Sequence, residues 1–156
     1  MPSEAKRLLD ICIRIEKKIS ELYFFFSEHY REMPDLSNLW RKTANEEENH
    51  MLQFQMAARL SKSSKFSAVV SLENAEQALA MVSGLQKRIM EHPPTWYNAL
   101  KFAIELEDRI SHLHTHTALA FEDASFNALY HAMMKHDQDH VQALKRYLEM
   151  PTDQEV

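Results

Sequence analysis

Six residues with cation-binding side chains recur at matched spacing along the chain. They are Glu16, Glu47 and His50 in the first half, and Glu107, Asp137 and His140 in the second. In each half a lone glutamate comes first, and an acid with a histidine three residues on follows it. The separation from Glu16 to His50 matches that from Glu107 to His140 to within one residue. An acid and a histidine at i and i+3 leave a helix on the same face. Two such helices, together with two that each carry a single glutamate, bring four carboxylates and two imidazoles to a common centre. Two divalent cations would balance the four negative charges.

Helical neighbours indicate which way each acid points. Around Glu16 lie Leu9, Cys12, Ile13, Ile19, Ser20 and Tyr23, and around Glu107 lie Leu100, Ala103, Ile104, Ile110, Ser111 and His114. Glu47 has Trp40, Ala44, Met51 and Phe54 for company, and Asp137 has Tyr130, Met133, Val141 and Leu144. No Lys or Arg shares these faces, so all four acids are expected to point inward. Glu105, set among Lys101, Asp108 and Arg109, marks the contrasting wet face, and Glu46 and Glu48 are expected to turn mostly outward. Burying carboxylates is strongly unfavourable unless they are protonated or paired with positive charge. A pair of metal ions accounts together for the charge, the ligand types and the repetition.

Long helices are needed to hold these positions. The chain of 156 residues has one glycine, Gly84, and five prolines, so little interrupts regular structure. Apolar spacing predicts helices over about 4–31, 36–60, 95–121 and 126–149, with a short linking helix over about 73–91. Ser3 is a candidate N-cap, Pro34-Asp35 ends the first helix and starts the next, His92-Pro93-Pro94 is a break, 61–67 reads as a loop and 122–125 as a turn. The expected fold class is all-α: a single-domain, antiparallel four-helix bundle of two helical hairpins joined by a long crossover.

The hairpins also align residue by residue. In IRIEKKISELY (13–23) and IELEDRISHLH (104–114), Ile13, Glu16, Ile19, Ser20 and Leu22 coincide with Ile104, Glu107, Ile110, Ser111 and Leu113. WRKTANEEENH (40–50) lies against YHAMMKHDQDH (130–140), each ending in histidine. With IEKKISELY followed by NEEENHMLQF, the chain resembles the ferritin-like di-iron superfamily, in particular its rubrerythrin-like branch, over almost its whole length. The resemblance implies that Glu16, Glu47, His50, Glu107, Asp137 and His140 hold two iron ions, with manganese as an alternative and zinc as a substitute in recombinant material. It implies that Tyr23, and His114 at the matching place in the second half, hydrogen-bond to those ligands. It further implies an oxidoreductase of peroxidase or ferroxidase type that reacts ferrous iron with peroxide or dioxygen and draws on an external electron donor. A non-catalytic iron-binding or iron-sensing protein, or a structural bundle with a degenerate metal site, are the alternatives. Asp137 stands where the family has glutamate, one methylene longer, and no CxxC rubredoxin-type module is present.

The remaining features narrow the class. The single cysteine, Cys12, excludes an internal disulfide and a Cys-only zinc site, and reads as a buried inert thiol. A net charge of −5 without a basic block offers no footprint for nucleic acid or an anionic membrane. The most apolar run, LYFFF, is far shorter than the roughly 20 residues that span a bilayer. The start MPSEAKRLLD lacks the apolar core of a secretory signal, so the cytoplasm is the expected compartment. The aromatic cluster of residues 23–26 packs the bundle or offers a dimer face, and a homodimer is expected. Met51, Met56, Met133 and Met134 read as core filler, and His112 with His116 as exposed helical histidines.

Overall fold

The structure, a computed structural model, describes residues 4–60, 72–119 and 124–150. Among these the chain is all-α, with five helices: α1 (Glu4–His29), α2 (Pro34–Leu60), α3 (Leu72–Glu91), α4 (Trp96–Leu119) and α5 (Ala124–Glu149). None is long and apolar enough to cross a membrane. The Ser3 cap, the 61–67 loop and the tail from Pro151 lie outside the described residues.

Helix α1 owes its buried face to Leu8, Cys12, Ile15, Ile19, Tyr23 and Phe26, three or four residues apart, all fully buried. It ends two residues earlier than expected. The Tyr30 N–H still bonds to the Phe26 carbonyl (2.9 Å), and Met33 N–H then turns back to the Tyr30 carbonyl (2.9 Å). Pro34, expected with Asp35 to end the first helix and start the next, opens α2 two residues before the expected 36. A first-turn proline sacrifices no hydrogen bond and brings a φ already suited to the helix, and Asp35 beside it favours the positive helix end. Ser27 and Ser37 then clamp the two helices, each hydroxyl donating to the other's carbonyl at 2.9 and 2.7 Å. Ser20 does the same for Ala44 at 3.1 Å. These pairings, 27 with 37 and 20 with 44, make α1 and α2 antiparallel.

The second hairpin is antiparallel by the same test. Tyr130 donates to Thr115 (3.2 Å), and the Trp96 ring meets Tyr147 edge-on at 6.2 Å. Of the expected turn at 122–125, Ala124 and Ser125 already belong to α5, and the rest lies outside the described residues. The Thr95 hydroxyl caps α4 by accepting the Asn98 N–H at 3.3 Å. Tyr30 donates to the Pro94 carbonyl at 2.6 Å and ties the first turn to the start of α4.

Helix α3 fills the crossover and is not short: it runs 20 residues, unbroken through Gly84. It lies parallel to α1, with Arg7 paired to Glu76 near one end (3.4 Å). Near the other end, Gln86 donates to the Lys18 carbonyl (3.2 Å) and to Glu21 (3.0 Å).

The core is not one continuous apolar mass. One cluster gathers Ile19, Tyr23, Phe26, Trp40, Ala44, Ala103 and Leu144; the other gathers Ala5, Leu9, Cys12, Phe54, Ala57, Tyr130 and Met133. Along α2 and α5 the inward acids and histidines fall between these two clusters. The two readings of methionine diverge: Met133 is core, whereas Met56 is 56% exposed on the outer face of α2.

Candidate metal centre

Four helices deliver the six expected residues to this polar layer, Glu16 from α1, Glu47 and His50 from α2, Glu107 from α4, and Asp137 and His140 from α5. All are buried, from 0% exposure at Glu16 to 6% at Asp137. Ligand atoms of Glu47, Glu107, Asp137 and His140 lie within 4.8 Å of one another, and so do those of Glu16, Glu47 and His50. Glu47 belongs to both groups. Asp137 also spans them despite its shorter side chain, with Oδ1 at 3.2 Å from His50 Nδ1 and 3.6 Å from His140 Nε2. Such buried Glu, Asp and His groups could hold a metal ion.

The polar bookkeeping inside the layer is unusual. Both Glu16 oxygens, Glu47 Oε1, His50 Nδ1 and His140 Nε2 have no hydrogen-bond partner of acceptable geometry among the described residues. Yet His140 Nε2 is 3.1 Å from Glu47 Oε1. Buried polar atoms are nearly always satisfied, and each exception calls for an explanation such as an ion. Ligand atoms that share one cation converge on it and not on each other, which yields short contacts with poor mutual direction. The donor set of carboxylates and imidazoles suits iron and manganese and also accommodates zinc, so the residues present fit the group that the sequence implies.

Three side chains orient the cluster from its edge. The Tyr23 hydroxyl donates to Glu107 Oε1 at 2.7 Å, across from α1 to α4. His114 Nε2, from α4, lies 2.8 Å from Glu16 Oε1 on α1, the reciprocal crossing. The third residue, Glu46, was missed by the sequence. Expected to face outward, it is instead half-buried, and its Oε2 meets His140 Nδ1. A carboxylate on Nδ1 holds the proton there and leaves Nε2 free to face Glu47, Glu107 and Asp137. Glu48 is exposed as expected.

The electrostatics are those of a tightly packed acid–imidazole layer. Burial works against charge on Glu16, but the adjoining Glu47 carboxyl and His114 outweigh it and hold Glu16 at about 2. Burial also opposes charge on the imidazoles; the carboxylates prevail, raising His50 to about 11 beside Glu16 and Glu47. His114 rises to about 10 beside Glu16 and Asp137. His140 is raised by Glu107, Glu46 and Glu47. Burial and the charge of Glu47 push Glu107 upward. Cys12 is pushed to about 12 by burial, which makes it the inert thiol expected.

A cavity of about 450 Å³ between α4 and α5 reaches the layer, lined by Ile104, Glu107, Ser111, Asp137 and Val141, with Lys101 and Lys145 further along it. The exposed His112 donates from Nδ1 to the Asp108 carbonyl of its own helix (2.8 Å); the side chain of His116 lies outside the described residues. No protein-family model, no curated protein and no solved structure matches this chain, so its function has to be argued from the polar layer itself.

Proposed function

We propose that the chain is a two-iron carboxylate protein with the ferritin-like arrangement of two hairpins, and that it is an oxidoreductase of rubrerythrin-like type acting on peroxide or dioxygen. The observation that carries this reading is the convergence of Glu16, Glu47, His50, Glu107, Asp137 and His140, buried, with short contacts that are not hydrogen bonds. Glu16, Glu47 and His50 would hold one ion, and Glu47, Glu107, Asp137 and His140 the other. With two ferrous ions held there, the centre would supply the two electrons that, with two protons, take hydrogen peroxide to two waters, and an external donor would be needed to restore the ferrous state.

The chain's own contribution is positional. Tyr23 fixes Glu107, Glu46 fixes the His140 tautomer, and the apolar clusters on either side keep bulk water from the layer. The α4–α5 cavity has room for a small oxidant and little need of more. The reach of Asp137 to both His50 and His140 speaks against a degenerate site.

The test is elemental analysis of protein made with iron supplied, followed by anaerobic addition of peroxide to the reduced form. The expected result is two irons per chain and one peroxide consumed per pair of ferrous ions, with both lost in Glu47→Ala. Full iron content with peroxide untouched would favour an iron carrier or sensor. A chain that takes up no iron under these conditions would defeat the proposal.

A further inference from the structure

We propose that His114 is itself a metal ligand, and that it makes the two halves of the centre chemically unequal; this rests on the two-cation reading above. His114 is 1% exposed, and neither of its ring nitrogens has a hydrogen-bond partner of acceptable geometry. Its Nε2 is 2.8 Å from Glu16 Oε1, and that oxygen is unpartnered too. A well-aimed N–H at that distance would form a strong hydrogen bond. The two atoms are close without aiming at each other. Ligand atoms bound at about 2.1 Å to one ion stand roughly 3 Å apart with both lone pairs turned to the ion. His140 Nε2 and Glu47 Oε1 show the same signature at 3.1 Å.

The counterpart in the first half behaves differently. Tyr23, placed after Glu16 as His114 is placed after Glu107, makes a regular 2.7 Å hydrogen bond to Glu107. One half therefore receives a hydroxyl donor at this position and the other an imidazole. The contacts close into a ring: Glu16 to His50 (3.8 Å), His50 to Asp137 (3.2 Å), Asp137 to His114 (3.9 Å) and His114 to Glu16 (2.8 Å). Carboxylates and imidazoles alternate in it. Glu47 is shared by both groups, so with His114 the Glu16 half offers two imidazoles to three carboxylates, whereas the other group, Glu47, Glu107, Asp137 and His140, offers one imidazole to three. Imidazole-rich sites favour cobalt and zinc, whereas manganese is content with carboxylates. The Glu16–His114 half takes the nitrogen-preferring ion first, and the centre is suited to hold two different metals.

The full-length chain, stripped of metal and titrated with Co²⁺ while its visible absorption is followed, tests this. The wild type is expected to bind one equivalent more tightly than the second. His114→Gln and His114→Tyr are expected to weaken that first equivalent at least about 10-fold and to change its visible bands, because a nitrogen ligand is gone. The tyrosine restores a hydroxyl donor towards Glu16, so a role limited to positioning Glu16 would be rescued by it. Far-UV circular dichroism of each variant checks folding. A measurement on the wild type alone runs in parallel: with Co²⁺ and Mn²⁺ in equal excess, elemental analysis should give one of each per chain. First-equivalent affinity and spectrum unchanged in both variants, recovery by tyrosine, or two like ions from the mixture would overturn the role of His114 while leaving the two-cation centre standing. Failure of the wild type to bind Co²⁺ at all would overturn both.

Discussion

Filling the centre must expel protons, and the number can be worked out from the side chains. In the metal-free chain His50 is held protonated up to about pH 11 and His114 up to about 10, and His140 is raised as well. An imidazole binds a cation only through a free lone pair, so the ligating histidines must give up their protons. His50 and His140 contribute about two protons per chain, and His114, if it ligates, a third. Between pH 7 and 8 the overall apparent binding constant should therefore rise about 100-fold to 1000-fold, or roughly 2.7–4 kcal/mol. The assay is a Zn²⁺ titration of metal-free protein in lightly buffered solution on a pH-stat, repeated at both pH values. Release of less than about one proton per chain, with affinity indifferent to pH, would refute the reasoning. The same linkage fixes a sign for stability. Histidines with raised folded-state values stabilise the metal-free fold fully below their unfolded value near 6.5, and that stabilisation is lost as pH climbs towards 10–11. Glu16, depressed to about 2, stabilises above its unfolded value near 4.5, and this is lost as pH falls towards 2. Thermal melts of the metal-free chain should thus decline from pH 6.5 upward, whereas excess metal should reverse the trend by rewarding neutral imidazole.

Three further outcomes are expected. Glu46→Gln keeps an acceptor for His140 Nδ1 but removes its charge, and should weaken metal affinity about 10- to 100-fold in competition with a chelator; an unchanged constant would remove Glu46 from the centre. Tyr23→Phe deprives buried Glu107 Oε1 of its donor and should cost the metal-free chain about 1–3 kcal/mol in urea unfolding, with wild-type stability as the contrary result. Gly84→Ala, at an exposed helical position where an added Cβ meets nothing within 4 Å, should stabilise by about 0.8–1 kcal/mol. That corresponds to a rise of roughly 2–4 °C in melting temperature, and no rise would mean that α3 does not limit unfolding.

The helices and the inward acids were legible in the sequence because the signal for each is local. Glu16 and Glu107 sit on faces whose neighbours, one and two turns away, are apolar, and that is enough to predict burial. Glu46 was not legible for the opposite reason. Its own helix offers Lys42, Asn49 and Gln53, a wet face, and the group that draws it in is His140 on another helix. The hairpin repeat gave no help, since it pairs Glu46 with the exposed His136. His114 was recognised as a partner of the ligands by its place in the repeat, but its closeness to both Glu16 and Asp137 depends on how α1, α4 and α5 meet. Pro34 was legible as the boundary between the first two helices, because proline cannot continue a helix but suits a first turn, and only the two-residue offset of the α2 start from the expected 36 escaped the pattern. Met56 was misread by residue type: methionine chemistry suits a core, and its face of α2 does not look towards one.

The cavity between α4 and α5 touches Glu107 and Asp137, and Glu16 and His50 are not among its lining residues. If cations enter by that door, the centre fills like a short blind corridor, with the innermost berth taken by passage through the outer one. Removal would run in the reverse order, so a chelator would strip the outer ion promptly and wait on the inner one, giving the molecule a memory of which metal it met first.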